Sequence, residues 1–308
     1  MPYVNLLSNG GAGALGLVRA LAEDYLSTLS SPFSITWTCN HSRNSQLALL
    51  RDYIDIALTY ERDQERLAQY EGWSITAGCM FHDHFVLAGP VSDPAGVRCA
   101  RSLEEGMQLI EKGKSLFHSR ADASATMWKE RALWSGVGFE PWEDKTATTW
   151  YKTSLHNPAD ALKNADYAGA YLLTDRSTLL RQTGLQNVTQ TTVFFEPQES
   201  ADVLMNSCYA LHRKDMSGNQ ACAVESFLEF VRSQRGQDII GNFGRTQVGV
   251  PLFATLDEGY ARTNLKGGSP RNGKWSMVRA TACPDLPHSC NSTPRTLIKS
   301  SLAPSSKL

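Results

Sequence analysis

The sequence predicts an α/β protein with parallel, helix-covered sheets, and three observations carry that expectation. Apolar strands and amphipathic helices alternate as β-loop-α-β-loop-α-β within the first sixty residues, the pattern that connects parallel strands. A glycine-rich turn, Ser8-Asn9-Gly10-Gly11-Ala12-Gly13, separates the first strand from the first helix. The 308 residues exceed what one small core organises and suit two α/β lobes.

Taken in order, Tyr3–Leu7 reads as a short buried strand. Ala14–Leu29 carries Leu15, Val18, Ala22, Tyr25 and Leu29 at helical spacing. Ser34–Cys39 alternates, with Ile35, Trp37 and Cys39 on one face. Ser42-Arg43-Asn44-Ser45 then supplies N-cap residues for a helix through Leu50, and Ile54–Tyr60 is an apolar strand. Phe81–Pro90 is a strand ending in Gly-Pro. A helix follows over Ser102–Lys112, then a strand at Ser115–His118 and a helix from Ser124 to Trp134. Pro158–Asn164 is helical, "YAGAYLLTD" is a strand leading into a turn, and Thr191–Phe195 and "DVLMNSCYALHR" are strands. Ala221–Arg235 is a long amphipathic helix. Periodicity fades from Tyr260 onward, where five of the 13 prolines fall, so a flexible tail is expected there.

Composition narrows the function classes. Hydrophobic residues make up 42% and charged residues 20%, an ordinary globular balance. The net charge of −1 gives no general attraction to nucleic acid. The charge is uneven: after residue 260 eight Lys/Arg face Asp285 alone, a net +7 that leaves about −8 on residues 1–260. No run approaches the roughly 18 apolar residues of a membrane helix, so no membrane span is expected. Seven scattered cysteines without a CxxC pair, behind an N-terminus that lacks a secretory pattern, read as reduced thiols. The last residues, Ser306-Lys307-Leu308, match a receptor-read peroxisomal address, which makes the import receptor an expected partner. Peroxisomal placement is therefore expected. The alternatives are the cytoplasm, or secretion if a signal peptide has been removed.

Two segments point to an anion. Glycines can adopt backbone angles that let peptide N–H groups converge, and the following helix start adds its unpaired donors and dipole. The glycines at 10, 11, 13 and 16 form neither a P-loop nor a dinucleotide loop, and a tight strand-to-helix turn would need the same residues. In "FHSRADASATMWKERALW", residues 117–134, Arg120 follows a strand and Ser124 and Thr126 stand at a helix start. The guanidinium is a fork suited to oxyanions, Asp122 could orient it, and the hydroxyls either cap the helix or meet a ligand.

That second segment resembles the "SRGDxSGTHxxExxLW" motif of the tungstate-type family of type II periplasmic binding proteins. "SNGGAGALGL", "IDIALTYERDQERLAQYEG", "FHDHFVLAGPVSDPAG", "AYLLTDRSTLL", "LMNSCYAL" and "SQRGQDIIGNFG" agree with it in order, over residues 5–255. The resemblance implies two lobes, each a mainly parallel sheet flanked by helices, joined by two crossover strands and closing on a small anion. Lobe 1 would comprise residues 1–85 and 196–258, lobe 2 residues 86–195, and the tail residues 259–308. It also implies ligand-facing positions at Asn9, Gly10, Gly11, Ser42, Thr59, Arg120, Ser124 and Thr126. The sequence departs from the family where Gly-Asp-x-Ser-Gly-Thr becomes Ala121-Asp122-Ala123-Ser124-Ala125-Thr126, and where Ser-Asn-Gly-Gly replaces threonine-rich donors, so the ligand need not be tungstate. Without an export signal the chain resembles the fungal branch of the family.

Residues capable of chemistry are few. His82 and His84 share one strand face with Asp83 opposite, and His-x-His lacks a nearby third metal ligand, so no metal or other cofactor is expected. His118, two residues before Arg120, could serve as an acid or base in the cleft. Cys39 and Cys79 read equally as core residues, and Trp128, Trp134, Trp142 and Trp150 as core by default. The expected function is solute-binding-protein-like capture of a small oxyanion or carboxylate. The alternative is an enzyme recruited from this scaffold, acting on a carboxylated or acyl substrate in fungal secondary metabolism in the peroxisome.

Overall fold

The computed structural model describes residues 3–8, 10–30, 32–259 and 271–272. Asn9 lies outside the described residues, as does the Ser306-Lys307-Leu308 address with most of the expected tail.

The chain runs β1 (Tyr3–Ser8), α1 (Gly10–Leu15), α2 (Leu17–Ser27), β2 (Ser34–Cys39), α3 (Ser42–Leu50), β3 (Ile56–Thr59), α4 (Arg62–Tyr70) and β4 (Ser74–Pro90). There follow α5 (Leu103–Lys112), β5 (Phe117–Ser119), α6 (Ala125–Gly136), β6 (Tyr151–Thr153), α7 (Pro158–Ala168), β7 (Leu172–Asp175), α8 (Arg176–Gly184) and β8 (Thr191–Glu196). Last come β9 (Met205–Arg213), α9 (Gly218–Arg232), α10 (Gln234–Asn242), α11 (Arg245–Val248) and β10 (Arg271–Asn272). The helix expected over Ala14–Leu29 is two helices. Gly16, at φ 94°, makes the break in a conformation that costs a residue without Cβ little.

The α/β class is as expected, but the pairing is mixed rather than mainly parallel. In the first sheet β2, β1 and β3 run parallel, while β9 opposes β3 and the first part of β4 opposes β9. In the second sheet the remainder of β4, Phe85–Pro90, is flanked by β7 and β8, both antiparallel to it. β4 therefore belongs to both sheets. β5 and β6 pair in parallel and reach β7 through a Phe117–Tyr171 bridge. The chain passes between the sheets along β4 and again between β8 and β9. β10 corrects the reading of residues 259–308 as tail throughout, because Arg271 and Asn272 pair with Phe195 and Glu196 and satisfy backbone groups on the open side of β8.

Each sheet has its own core. Leu17, Leu21, Phe81, Phe227 and Phe253 fill the first, with Phe81 meeting Phe253 edge to face at 5.4 Å. In the second sheet β4 is buried on both faces. Phe85 and Leu87 join Phe117, Trp134 and Phe195, while Val86 and Ala88 join Leu162, Leu172 and Leu179. Continuous apolar sequence in "FVLAGP" is the consequence. Gly89 lies against the buried Tyr171 ring, and a Cβ there would come within 2.3 Å of Tyr171 Cδ1. Gly89→Ala is accordingly expected to cost about 1–3 kcal/mol through overpacking. Urea denaturation checks this, with unchanged stability contradicting the packing described.

Candidate functional site

A cavity of about 250 Å³ opens where the N-terminal ends of α1, α3, α6, α7 and α8 converge. Each of these ends carries backbone N–H groups without intrahelical partners and the positive pole of the helix dipole. Part of that donor capacity is used internally. Ser124 Oγ accepts from Met127 N at 3.4 Å, Asn157 Oδ1 from Asp160 N at 2.9 Å, and Asp175 Oδ1 from Thr178 N at 3.2 Å.

Arg120 stands on the wall, 8% exposed, and its Nη2 donates to Asp122 Oδ2 at 2.5 Å. Ala121 between them has φ 50°, the left-handed region that glycine enters freely, and this turn folds Asp122 back onto the guanidinium. Asp122 Oδ1 also accepts from Ser124 N at 3.0 Å, and His41 Nε2 lies 3.9 Å from Oδ2. Arg120 Nε, in contrast, is buried and has no hydrogen-bond partner. The Tyr60 hydroxyl meets the Cys208 thiol, while a further buried atom at the wall, Asn206 Oδ1, lacks a partner. A buried polar group left in this state costs free energy that a ligand contact would recover.

The floor is acidic. Ser177 Oγ lies 2.5 Å from Asp83 Oδ2 and 3.0 Å from Asp175 Oδ1, and Asp83 Oδ1 accepts from His84 N at 2.8 Å. Burial first, and the Asp175 carboxylate second, push the Asp83 carboxyl up to about 7. Gly11 of α1 packs directly over this group. A Cβ on Gly11 would sit 3.5 Å from Asp175 Oδ1, 3.6 Å from Ser177 Oγ and 3.7 Å from Asp83 Oδ2.

Of the residues expected to face a ligand, Gly11, Arg120, Ser124 and Thr126 line this one cavity. Gly10 opens α1 beside them. Ser42 and Thr59 do not reach the wall. Ser42 Oγ accepts from Tyr60 N at 3.2 Å and Thr59 Oγ1 donates to Glu65 Oε1 at 2.6 Å. His118 is not among the lining residues either. Its charged neighbours are His156 and Lys152, which together with burial keep its pKa low. His82 bonds Ser207 Oγ at 2.7 Å and His84 Nδ1 lies 3.3 Å from Phe85 O, a pair held within the hinge side of β4. No group of three potential metal ligands occurs among the described residues.

Asp83, Asp175, Ser177, Tyr60 and Asn206 were not expected at the site. The period-two alternation that puts His82 and His84 together also puts Asp83 on the opposite face, and that opposite face is the cleft. For Asp175, the signal was Asp-x-x-Thr directly after an apolar strand, an N-cap pattern inside "LLTDRSTLL".

Residues 4–235 match the model of a PBP superfamily domain. A candidate ABC transporter anion-binding protein of Haloferax volcanii is 29% identical over 242 residues, 73% of this chain and 66% of its own. The tungstate-binding protein TupA of Peptoclostridium acidaminophilum is 27% identical over 207 residues, 65% of this chain and 67% of its own. This chain thus spans about two thirds of the length of those relatives. In three dimensions it resembles the crystal structure of a periplasmic candidate metal-binding protein, with a TM-score of 0.73 and 28% identity over 83% of this chain and 98% of the other. A family match that covers both sheets and most of the cavity's lining residues leads to one conclusion: the protein belongs to the PBP superfamily.

Proposed function

We propose that this protein binds a small anion, an oxyanion or a carboxylate, in the cleft that holds Arg120. The observation that carries this reading is the state of Arg120 itself. A guanidinium nine-tenths buried, oriented by Asp122 and left with a free Nε, faces a cavity ringed by helix N-termini. The anion-binding and tungstate-binding names of the relatives support the same reading. Ser124 and Thr126, at the first turn of α6, would add hydroxyl and amide donors, and Gly11 would let α1 approach closely. His118 stands apart from the cleft, which favours binding over acid–base catalysis.

The first test is affinity. With molybdate, tungstate, inorganic phosphate and small carboxylates as probes, Arg120→Ala is expected to weaken binding of whichever binds by about 1.5–3 kcal/mol, the scale of a charged hydrogen bond. Calorimetry on a folded variant measures it, and undiminished affinity sinks the role given to Arg120.

The second is pH. Asp83 is faced by Asp175 at the end of β7, by Arg176 from α8, by Tyr60 after β3 and by Cys208 of β9. Below about 7 its carboxyl is neutral, and above it a second negative charge joins Asp175 on the cleft floor. Anion affinity should therefore fall as pH rises through about 7. Because the folded pKa is raised above the unfolded one, the associated stability is fully present below the unfolded value of about 4 and is lost as pH rises from there through about 7. Asp83→Asn is expected to flatten both profiles, measured by calorimetry and thermal melts at several pH values. A mutant that keeps the wild-type slope would assign the titration elsewhere.

A further inference from the structure

The cleft does not stop at Arg120. A second cavity of about 610 Å³ adjoins the first, and the two share Tyr60 and Ala125 as common wall. Its lining is of another kind: Phe85 from β4, Trp128 and Lys129 from α6, and Tyr209 from β9. Trp128, expected in the core, is 41% exposed. A bare tetrahedral oxyanion has no apolar surface and gains nothing from aromatic walls, whereas a carbon skeleton does.

The charges in this second cavity separate into used and unused. Arg43 lies over the Trp128 ring at 3.5 Å and pairs with Glu61 at 3.2 Å. Arg62 lies over Tyr209 at 3.6 Å and pairs with Glu65. Lys129 has no carboxylate in ion-pair contact among the described residues, although it is partly buried. Its acidic neighbours, Asp63 and Asp202, act only at longer range, and burial lowers its pKa. The Tyr60 hydroxyl, which meets the Cys208 thiol, stands at the junction of the two cavities. From Arg120 to Lys129 the surface thus presents an anion donor, a phenol, aromatic faces and an unpaired ammonium.

We propose that the natural ligand is an elongated organic diacid, with one acidic group at Arg120, its carbon body along Tyr60, Phe85 and Trp128, and its second acidic group at Lys129. This rests on the anion-binding reading above and narrows it. The ligand's two negative charges meet two cations from the same helix region, and its middle replaces water on the aromatic walls. A cavity elsewhere of the same volume, between α2 and α9, is lined by residues such as Tyr25, Phe33 and Ser226 without a charged side chain among the described residues, and offers no such pairing.

Titration calorimetry on the full chain tests this with malonate, glutarate, pimelate and suberate, and with inorganic phosphate and molybdate as body-less probes. Affinity is expected to rise about tenfold or more from malonate to the best of the longer diacids. Lys129→Met should cut the long-to-short ratio several-fold, leaving only what the aromatic walls contribute, and Lys129→Arg should restore much of it. Octanoate, which has the body without the second acid, should bind more weakly than suberate in the wild type but equally in Lys129→Met. If malonate, phosphate and suberate bind alike while Arg120→Ala weakens all of them, the diacid inference fails and the anion reading stands. A length preference that Lys129→Met leaves undiminished in a protein with wild-type melting behaviour also overturns it. If no probe binds in an Arg120-dependent way, both readings fall together.

Discussion

The contact on which the cleft depends is the pair of hydrogen bonds joining Ser177 to Asp83 and Asp175. Asp83 lies on β4 at the point where that strand passes from one sheet to the other, and Asp175 ends β7 and caps α8. One hydroxyl therefore fastens the shared strand to the helix that faces it. The hydroxyl has a single proton, and two ionised carboxylates compete for it. A proton on Asp83 resolves the competition, since Asp83 then donates to Ser177 while Ser177 donates to Asp175. Burial and the neighbouring Asp175 carboxylate hold the Asp83 carboxyl high, and the Ser177 hydrogen bond works against them. Gly11 of α1 packs over this group, at a distance where a Cβ would make ordinary contact with all three side chains.

On the proposed reading, this arrangement lets a protein with almost no net charge present a selective cleft. The helix ends and Arg120 supply a positive rim, while Asp83, Asp175 and Asp122 hold part of that field inside the protein. A ligand entering the cleft competes with internal carboxylates as well as with water. Its recognition is consequently set by geometry and by which donors remain unpaired, not by bulk attraction. Arg120 illustrates the division, with Nη2 committed to Asp122 and Nε left for an incoming acceptor.

Much of the architecture was legible in the sequence because its signals are local. Strand alternation, N-caps and the Arg120-x-Asp122 spacing all act within a few residues, and the elements they predict are present. What escaped was decided over long distances. The antiparallel insertion of β9 and the double membership of β4 depend on pairings more than a hundred residues apart, and no periodicity records the direction of a partner strand. Asp83 was visible but subordinate, because two histidines flank it and draw attention to the other face. Ser42 and Thr59 failed to reach the wall for a simpler reason. Short hydroxyl side chains bond what is nearest, here Tyr60 N and Glu65.

The placement of β9 has a consequence for how the chain is made. It lies between β3 and β4, strands that leave the ribosome long before residue 205 does. Until β9 arrives, the side of β3 and the side of β4 that it will join have no partner, and an unpaired strand edge is a template for association with other chains. Synthesis at ordinary rates, roughly 5–20 residues per second, stretches that interval over several seconds or more. The nascent first half thus waits, incomplete, for a strand encoded far downstream. Such a polypeptide is a natural client for chaperones that shield exposed edges, and conditions that slow elongation between β4 and β9 would lower its yield of native protein.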